Sequence, residues 1–88
     1  MTHKEWFMYV VECSDGTLYT GITTDLKRRL NEHNYSKRGA KYTRSRRPVK
    51  YRFTMICTGQ ADAAREERKF KKLSRKQKLK IIEGSEIK

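Results

Sequence analysis

The chain has 88 residues, room for one domain and one modest core, with 35% apolar and 36% charged residues. No apolar run approaches a membrane span, and Met1-Thr2-His3-Lys4-Glu5-Trp6 lacks the apolar h-region and cleavage site of a signal peptide, so a cytoplasmic protein without a membrane anchor is expected. The formal net charge is +12, from 22 Lys and Arg against 10 acidic residues.

That charge is segregated. Residues 1–36 hold four basic and five acidic groups, whereas residues 37–52 hold eight basic groups and no acidic one. Residues 65–80 hold nine more basic groups against Glu66 and Glu67 alone. Solubility needs neither this excess nor this segregation, and nucleic acid is the partner expected. An anionic membrane is not favoured, because no amphipathic helix carries bulky apolar anchors. Cys13 and Cys57 form no CxxC pair and lie in apolar, strand-like segments; two buried free thiols are expected.

Residues 7–13 are rich in β-branched and aromatic side chains and predict a strand. Ser14-Asp15-Gly16 is a turn signal, and residues 17–22 predict the returning strand. With a three-residue loop Tyr19 faces Val11 and Gly21 faces Tyr9, so Tyr9, Val11 and Tyr19 share one face. A two-residue loop would separate them. Thr24 or Asp25 can cap a helix over 25–33, whose stripe holds Leu26, Arg29, Leu30 and His33. An arginine and a histidine on the buried side of a short helix require partners there. Residues 34–47 are polar and basic, with one helical turn near 40–44, and Pro48 closes them. Residues 49–58 predict a third strand with Tyr51, Phe53, Met55 and Cys57 on one face. Residues 60–73 predict the longest helix, with Glu67 on the inward stripe between Ala63 and Phe70. Ser74 can cap a last helix to about residue 82. The order β-β-α-β-α-α describes an α+β domain, a small antiparallel sheet flanked by helices. Residues 1–83 form this domain and 84–88 a flexible tail.

Five polar residues fall inward or on one sheet face: Tyr9, Tyr19, Arg29, His33 and Glu67. Phosphodiester cleavage uses groups of these kinds. One or two carboxylates hold a hard cation such as Mg²⁺, which keeps several waters and offsets charge on the leaving oxygen. An arginine fits the non-bridging oxygens of a phosphate. A tyrosine or histidine can take a proton from the attacking water. Each residue alone also has an ordinary structural reading. The tyrosines can edge the core, Arg29 can stretch over it to solvent, and His33 can complement a helix end. Glu67 can pair with Lys71 one turn on. Together, under a basic surface, they form a candidate site.

Met8-Tyr9-Val10, then Tyr19-Thr20-Gly21, then Leu26-Lys27-Arg28-Arg29-Leu30 with His33, resemble the GIY-YIG nuclease domain. Thr20-Gly21-Ile22-Thr23, Glu32-His33-Asn34, Gly39-Ala40-Lys41-Tyr42-Thr43-Arg44 and Arg46-Arg47-Pro48-Val49 further resemble small stand-alone bacterial members of that superfamily. The resemblance runs over residues 6–82. It implies a three-stranded antiparallel sheet flanked by helices and hydrolysis of DNA with one Mg²⁺ or Mn²⁺ ion. By that resemblance Glu67 is the metal ligand, with Glu66 as its rival, and Arg29 contacts the scissile phosphate. Tyr19 or Tyr9 binds or activates the water, and His33 assists. The chain departs from the family pattern at Met8 and Val10, where glycine and isoleucine are usual. It also lacks an asparagine in Gln77-Lys78-Leu79-Lys80, where many members carry one.

The expected function is therefore a metal-dependent endonuclease with weak sequence preference, acting on DNA rather than RNA. Lys37, Arg38, Lys41, Arg44, Arg46 and Arg47 are the expected nucleic-acid contacts. The alternative is a non-catalytic nucleic-acid-binding module with a vestigial site. Tyr35, Tyr42 and Tyr51 lie in or beside the basic block and could stack on bases, although Tyr42 and Tyr51 are better read as core residues. A monomer is expected, with any recruiting protein unidentified.

Overall fold

The most continuously apolar strand lies at the centre of the sheet. The computed structural model describes residues 5–86. In it β1 (Trp6–Glu12) lies between β2 (Leu18–Thr23) and β3 (Lys50–Cys57), both antiparallel to it. Met8, Tyr9, Val10 and Val11 are all buried, so β1 buries both of its faces. A strand covered on both sides reads as an unbroken apolar run rather than an alternation.

Each face has its own helices. α1 (Leu26–Tyr35) packs Leu26 and Leu30 against Tyr9, Val11, Tyr19 and Tyr51, and the single turn α2 (Lys41–Arg44) lies beside it. On the other face, α3 (Gln60–Lys71) and α4 (Arg75–Glu86) bring Ala63, Phe70 and Ile82 against Met8, Val10 and Cys57. The order is the expected one. α4 runs to Glu86, so residues 84–86 of the expected tail are helical, while 87–88 lie outside the described residues. Cys13 and Cys57 are free and buried. No helix among the described residues is long and apolar enough to cross a membrane.

Local chemistry sets the boundaries. Gly16, at φ +84°, takes the left-handed position of the hairpin turn, and Cys13 N–H bonds Thr17 C=O at 2.8 Å across a three-residue loop, the longer of the two the turn signal left open. The register that follows pairs Val11 with Tyr19 and Tyr9 with Gly21. Asp25 caps α1 by accepting from the Arg28 N–H at 2.9 Å. Ser74 and Gln77 cap α4 reciprocally, each side chain accepting the other's main-chain N–H at 3.2 and 2.9 Å.

One expectation is corrected. The pairing of β1 with β3 shifts between Val10 and Val11, where Val10 opposes Phe53 but Val11 opposes Tyr51. Arg52 is the extra residue of this bulge. Tyr51 therefore joins the Tyr9 face, and Phe53, Met55 and Cys57 join the Met8 face.

The hairpin turn is held from both layers. Arg46 Nε donates to Asp15 Oδ2 at 3.1 Å, and Ser14 N–H donates to the Arg46 carbonyl at 2.9 Å. From the opposite layer, Arg75 Nη2 donates to the Gly16 carbonyl at 3.1 Å.

Candidate active site

The hairpin register brings Tyr9 under Gly21, and this pairing admits only glycine. A Cβ at Gly21 would lie 2.5 Å from the Tyr9 hydroxyl oxygen and 2.7 Å from the ring carbon bearing it. The Tyr9 hydroxyl thereby reaches α1, where it lies 2.7 Å from His33 Nε2 and accepts from Arg29 Nε at 3.2 Å. The stripe that places Arg29 and His33 inward on α1 is thus answered by a phenol from the central strand.

The segment after α1 closes over these groups. Gly39 lies against the helix, where a Cβ would meet the Glu32 carbonyl oxygen at 2.6 Å and His33 Cα at 2.9 Å. This close approach lets Thr43 Oγ1 come within 2.9 Å of His33 Nδ1. It also lets the Arg38 carbonyl accept from Arg29 Nη1 at 2.9 Å. Glu32 takes a second bond from Nη1, also at 2.9 Å. Two of the three guanidinium nitrogens are therefore committed. Nη2 has no hydrogen-bond partner among the described residues.

Burial dominates the electrostatics. It pushes the Tyr9 phenol up to about 12, against the opposing pull of Arg29. It pushes the His33 imidazole down to about 4, helped by the Arg29 and Arg47 charges and opposed by Glu32. Both groups are neutral near pH 7. Burial also disfavours the Arg29 charge, but bonds to Glu32 and Tyr9 outweigh it and raise that pKa further.

Tyr19 differs from Tyr9 in access. Its side chain is half-buried rather than sealed, and its ring meets His33 edge-on at 5.5 Å between centroids. Tyr42 stacks on Tyr19 at 5.9 Å, and the Arg46 guanidinium lies 4.0 Å above Tyr42. Tyr42 is therefore no core residue, being 39% exposed with a ring and a cation against it. Tyr51 is half-buried and donates to the Leu26 carbonyl at 2.6 Å, as a core residue does. Tyr35 stands 83% exposed at the end of α1.

Glu67 lies on α3 in the stripe of Ala63 and Phe70, half-buried, with Lys71 Nζ 3.1 Å from its carboxylate. Its charge is felt at Tyr9, where it contributes to the raised pKa. Glu66 instead lines a shallow apolar pocket with Met8, Phe53 and Phe70 and pairs with Lys69 at 3.5 Å. Among the described residues no three His, Cys, Asp or Glu side chains converge. A single partly buried carboxylate suits a hard cation that keeps most of its shell as water and substrate oxygen.

The six basic residues divide. Lys37, Arg38, Lys41 and Arg44 are exposed. Arg46 is tied to Asp15 and donates to the Tyr42 carbonyl at 2.8 Å. Arg47 donates to the carbonyls of Glu32, His33 and Ser36, capping the end of α1. The sequence reading missed Glu32 and Thr43 as partners of this cluster. Glu32 had a signal in its i,i+3 spacing from Arg29. Thr43 had none beyond its place in a polar segment.

The comparisons agree with this architecture. The GIY-YIG catalytic domain matches residues 5–80. A UPF0213 protein of Streptococcus agalactiae is 57% identical over 76 residues, covering 86% of this chain and 85% of that protein. Another, from Desulfotalea psychrophila, is 49% identical over 81 residues, covering 92% of this chain and 74% of that protein. The solution NMR structure of the E. faecalis protein EF2693 is 42% identical with a TM-score of 0.66, covering 99% of this chain and 92% of that one. The chain belongs to the GIY-YIG nuclease family.

Proposed function

We propose that this protein is a divalent-metal-dependent endonuclease that hydrolyses phosphodiester bonds in DNA with weak sequence preference. The observation that carries this reading is Arg29, a half-buried cation fixed through Nε and Nη1 with Nη2 turned free, beside a neutral tyrosine–histidine pair. A fixed guanidinium directed at a non-bridging phosphate oxygen orients the substrate and steadies charge as it develops.

Of Tyr9 and Tyr19 only the latter is partly exposed, and in this reading its hydroxyl positions the attacking water. Tyr9, Glu32 and the Arg38 carbonyl hold Arg29 in place, and the Tyr9–His33 pair forms the proton-accepting side of the site. In hydrolysis the water oxygen bonds to phosphorus as one P–O ester bond breaks. The water's proton leaves to a base, and the departing oxygen is protonated. Glu67 would hold the cation, whose charge, when bound, offsets that on the departing oxygen. Lys37, Arg38, Lys41 and Arg44 supply sequence-independent backbone contacts, which supports weak sequence preference.

The test incubates the purified protein with nicked, branched and single-stranded DNA and with RNA, in Mg²⁺ or Mn²⁺, beside Glu67→Ala. Cleavage by the native protein that disappears in the variant, with binding retained, is expected. Equal, salt-sensitive binding by both without cleavage would replace this reading with the binding-module one. The Glu67–Lys71 pair and the missing late asparagine favour that second reading.

A further inference from the structure

The contacts around His33 form a row, Arg29–Tyr9–His33–Thr43–Ala40, ending at a main-chain carbonyl. Its two ends fix part of its direction. Arg29 Nε can only donate, and the Ala40 carbonyl can only accept, which it does from Thr43 Oγ1 at 2.9 Å. His33 has two possible neutral tautomers between them.

With the proton on Nδ1, every group is matched. Nδ1–H donates to Thr43 Oγ1, the Thr43 hydroxyl donates to Ala40, and Nε2 accepts the Tyr9 hydroxyl proton. With the proton on Nε2, the Tyr9 oxygen receives donors from both His33 and Arg29. Its own proton is then left without an acceptor at a residue with 0% exposure. An unmatched buried donor is strongly disfavoured.

We infer that Thr43 is a positioning residue that fixes His33 as the Nδ1–H tautomer, so that His33 Nε2 accepts the hydrogen bond of the Tyr9 hydroxyl. The inference rests on the nuclease reading for its catalytic consequence but not for its structural content. The segment order supports it. Gly39 allows the close approach that brings Thr43 to α1, and Thr43 is itself 0% exposed, so water does not compete for the Nδ1 site. The row then donates in one direction, from Arg29 to the main chain. It leaves the Tyr9 oxygen as the acceptor that Arg29 requires.

The titratable and charged groups facing His33 are Tyr9 from β1, Tyr19 from β2, Arg29 and Glu32 from α1, and Arg47 from the segment before β3. Among the described residues only Thr43 bonds Nδ1.

The deciding measurement is the ¹⁵N spectrum of the His33 ring near pH 7, in native protein and in Thr43→Ser and Thr43→Val. Native protein and Thr43→Ser are expected to show a protonated Nδ1 and a bare Nε2. Thr43→Val, similar in shape but without the hydroxyl, is expected to lose that single tautomer. Its kcat for DNA cleavage is expected to fall by about 10-fold or more, as losses of ligand-orienting partners do, with KM little changed and serine restoring most of the rate. An Nε2–H tautomer in native protein would overturn the inference even if no variant folds. So would a Thr43→Val protein that retains the pure Nδ1–H form. Absence of cleavage by native protein would overturn the nuclease reading alone, because the tautomer is read without it.

Discussion

His33 couples the candidate site to stability in acid. Its pKa is about 4 in the folded protein against an ordinary 6.5, with burial as the main cause. Between those values the unfolded chain binds a proton that the folded protein excludes. Stability therefore rises with pH across this window, is fully present above the unfolded pKa, and is lost as pH falls toward the folded one. The gap is equivalent to about 3 kcal/mol, a large share of what a small domain possesses. Other groups titrate in the same range, so the native protein alone does not isolate the effect. His33→Gln keeps an acceptor for Tyr9 but removes the titration. Urea unfolding followed by circular dichroism, at about pH 7.5 and about pH 4, gives four stabilities. The native protein is expected to lose about 3 kcal/mol more than His33→Gln between the two conditions. Equal losses in both proteins would refute the assignment of His33 as a buried, neutral imidazole.

Four further outcomes follow. Gly21→Ala places a methyl against the Tyr9 hydroxyl, and overpacking of this kind costs about 1–3 kcal/mol. Thermal unfolding checks that loss, and cleavage should fall with it as the Tyr9–His33 bond opens. Arg47→Ala uncovers three carbonyls at the end of α1 and should destabilise by about 1–3 kcal/mol while leaving the salt dependence of DNA binding unchanged. Lys41→Ala should do the reverse, reducing the slope of log affinity against log salt by about 1 with little change in stability, as paired titrations and melts would show. If the Tyr9 phenol must give up its proton, with its pKa near 12, cleavage should climb with pH through the neutral and alkaline range. A flat rate from about pH 6 to about pH 9 would count against a tyrosine in that role.

Local signals carried much of the fold. The Ser14-Asp15-Gly16 signal marked the turn but left its length open, and the three-residue loop is what pairs Tyr9 with Gly21 and Val11 with Tyr19. The 3.6-residue period of α1 put Arg29 and His33 on the stripe of Leu26 and Leu30. Tyr51 was misassigned because strict alternation assumes an uninterrupted ladder. The bulge at Arg52 carries no glycine or proline to announce it and reverses the faces beyond it. The roles of Arg47 and Thr43 were invisible for a different reason. Each depends on where residues 36–47 fold back over α1, a tertiary contact to which side-chain period is blind. In composition Arg47 is one more cation of the basic block. In the folded protein its charge completes a helix end.

The hairpin turn has a practical consequence. Exposed polar turns containing glycine are the usual places to insert a tag, a fluorophore loop or new chain ends. Here Asp15 and Gly16 anchor arginines arriving from opposite sides of the sheet. An insertion between them would unfasten both layers from the same point. The segment between α2 and β3 would lose the Arg46–Asp15 attachment to the β1–β2 turn, and α4 would lose its hold on the hairpin. For labelling this protein, the turn that looks most permissive by sequence is the one to leave intact.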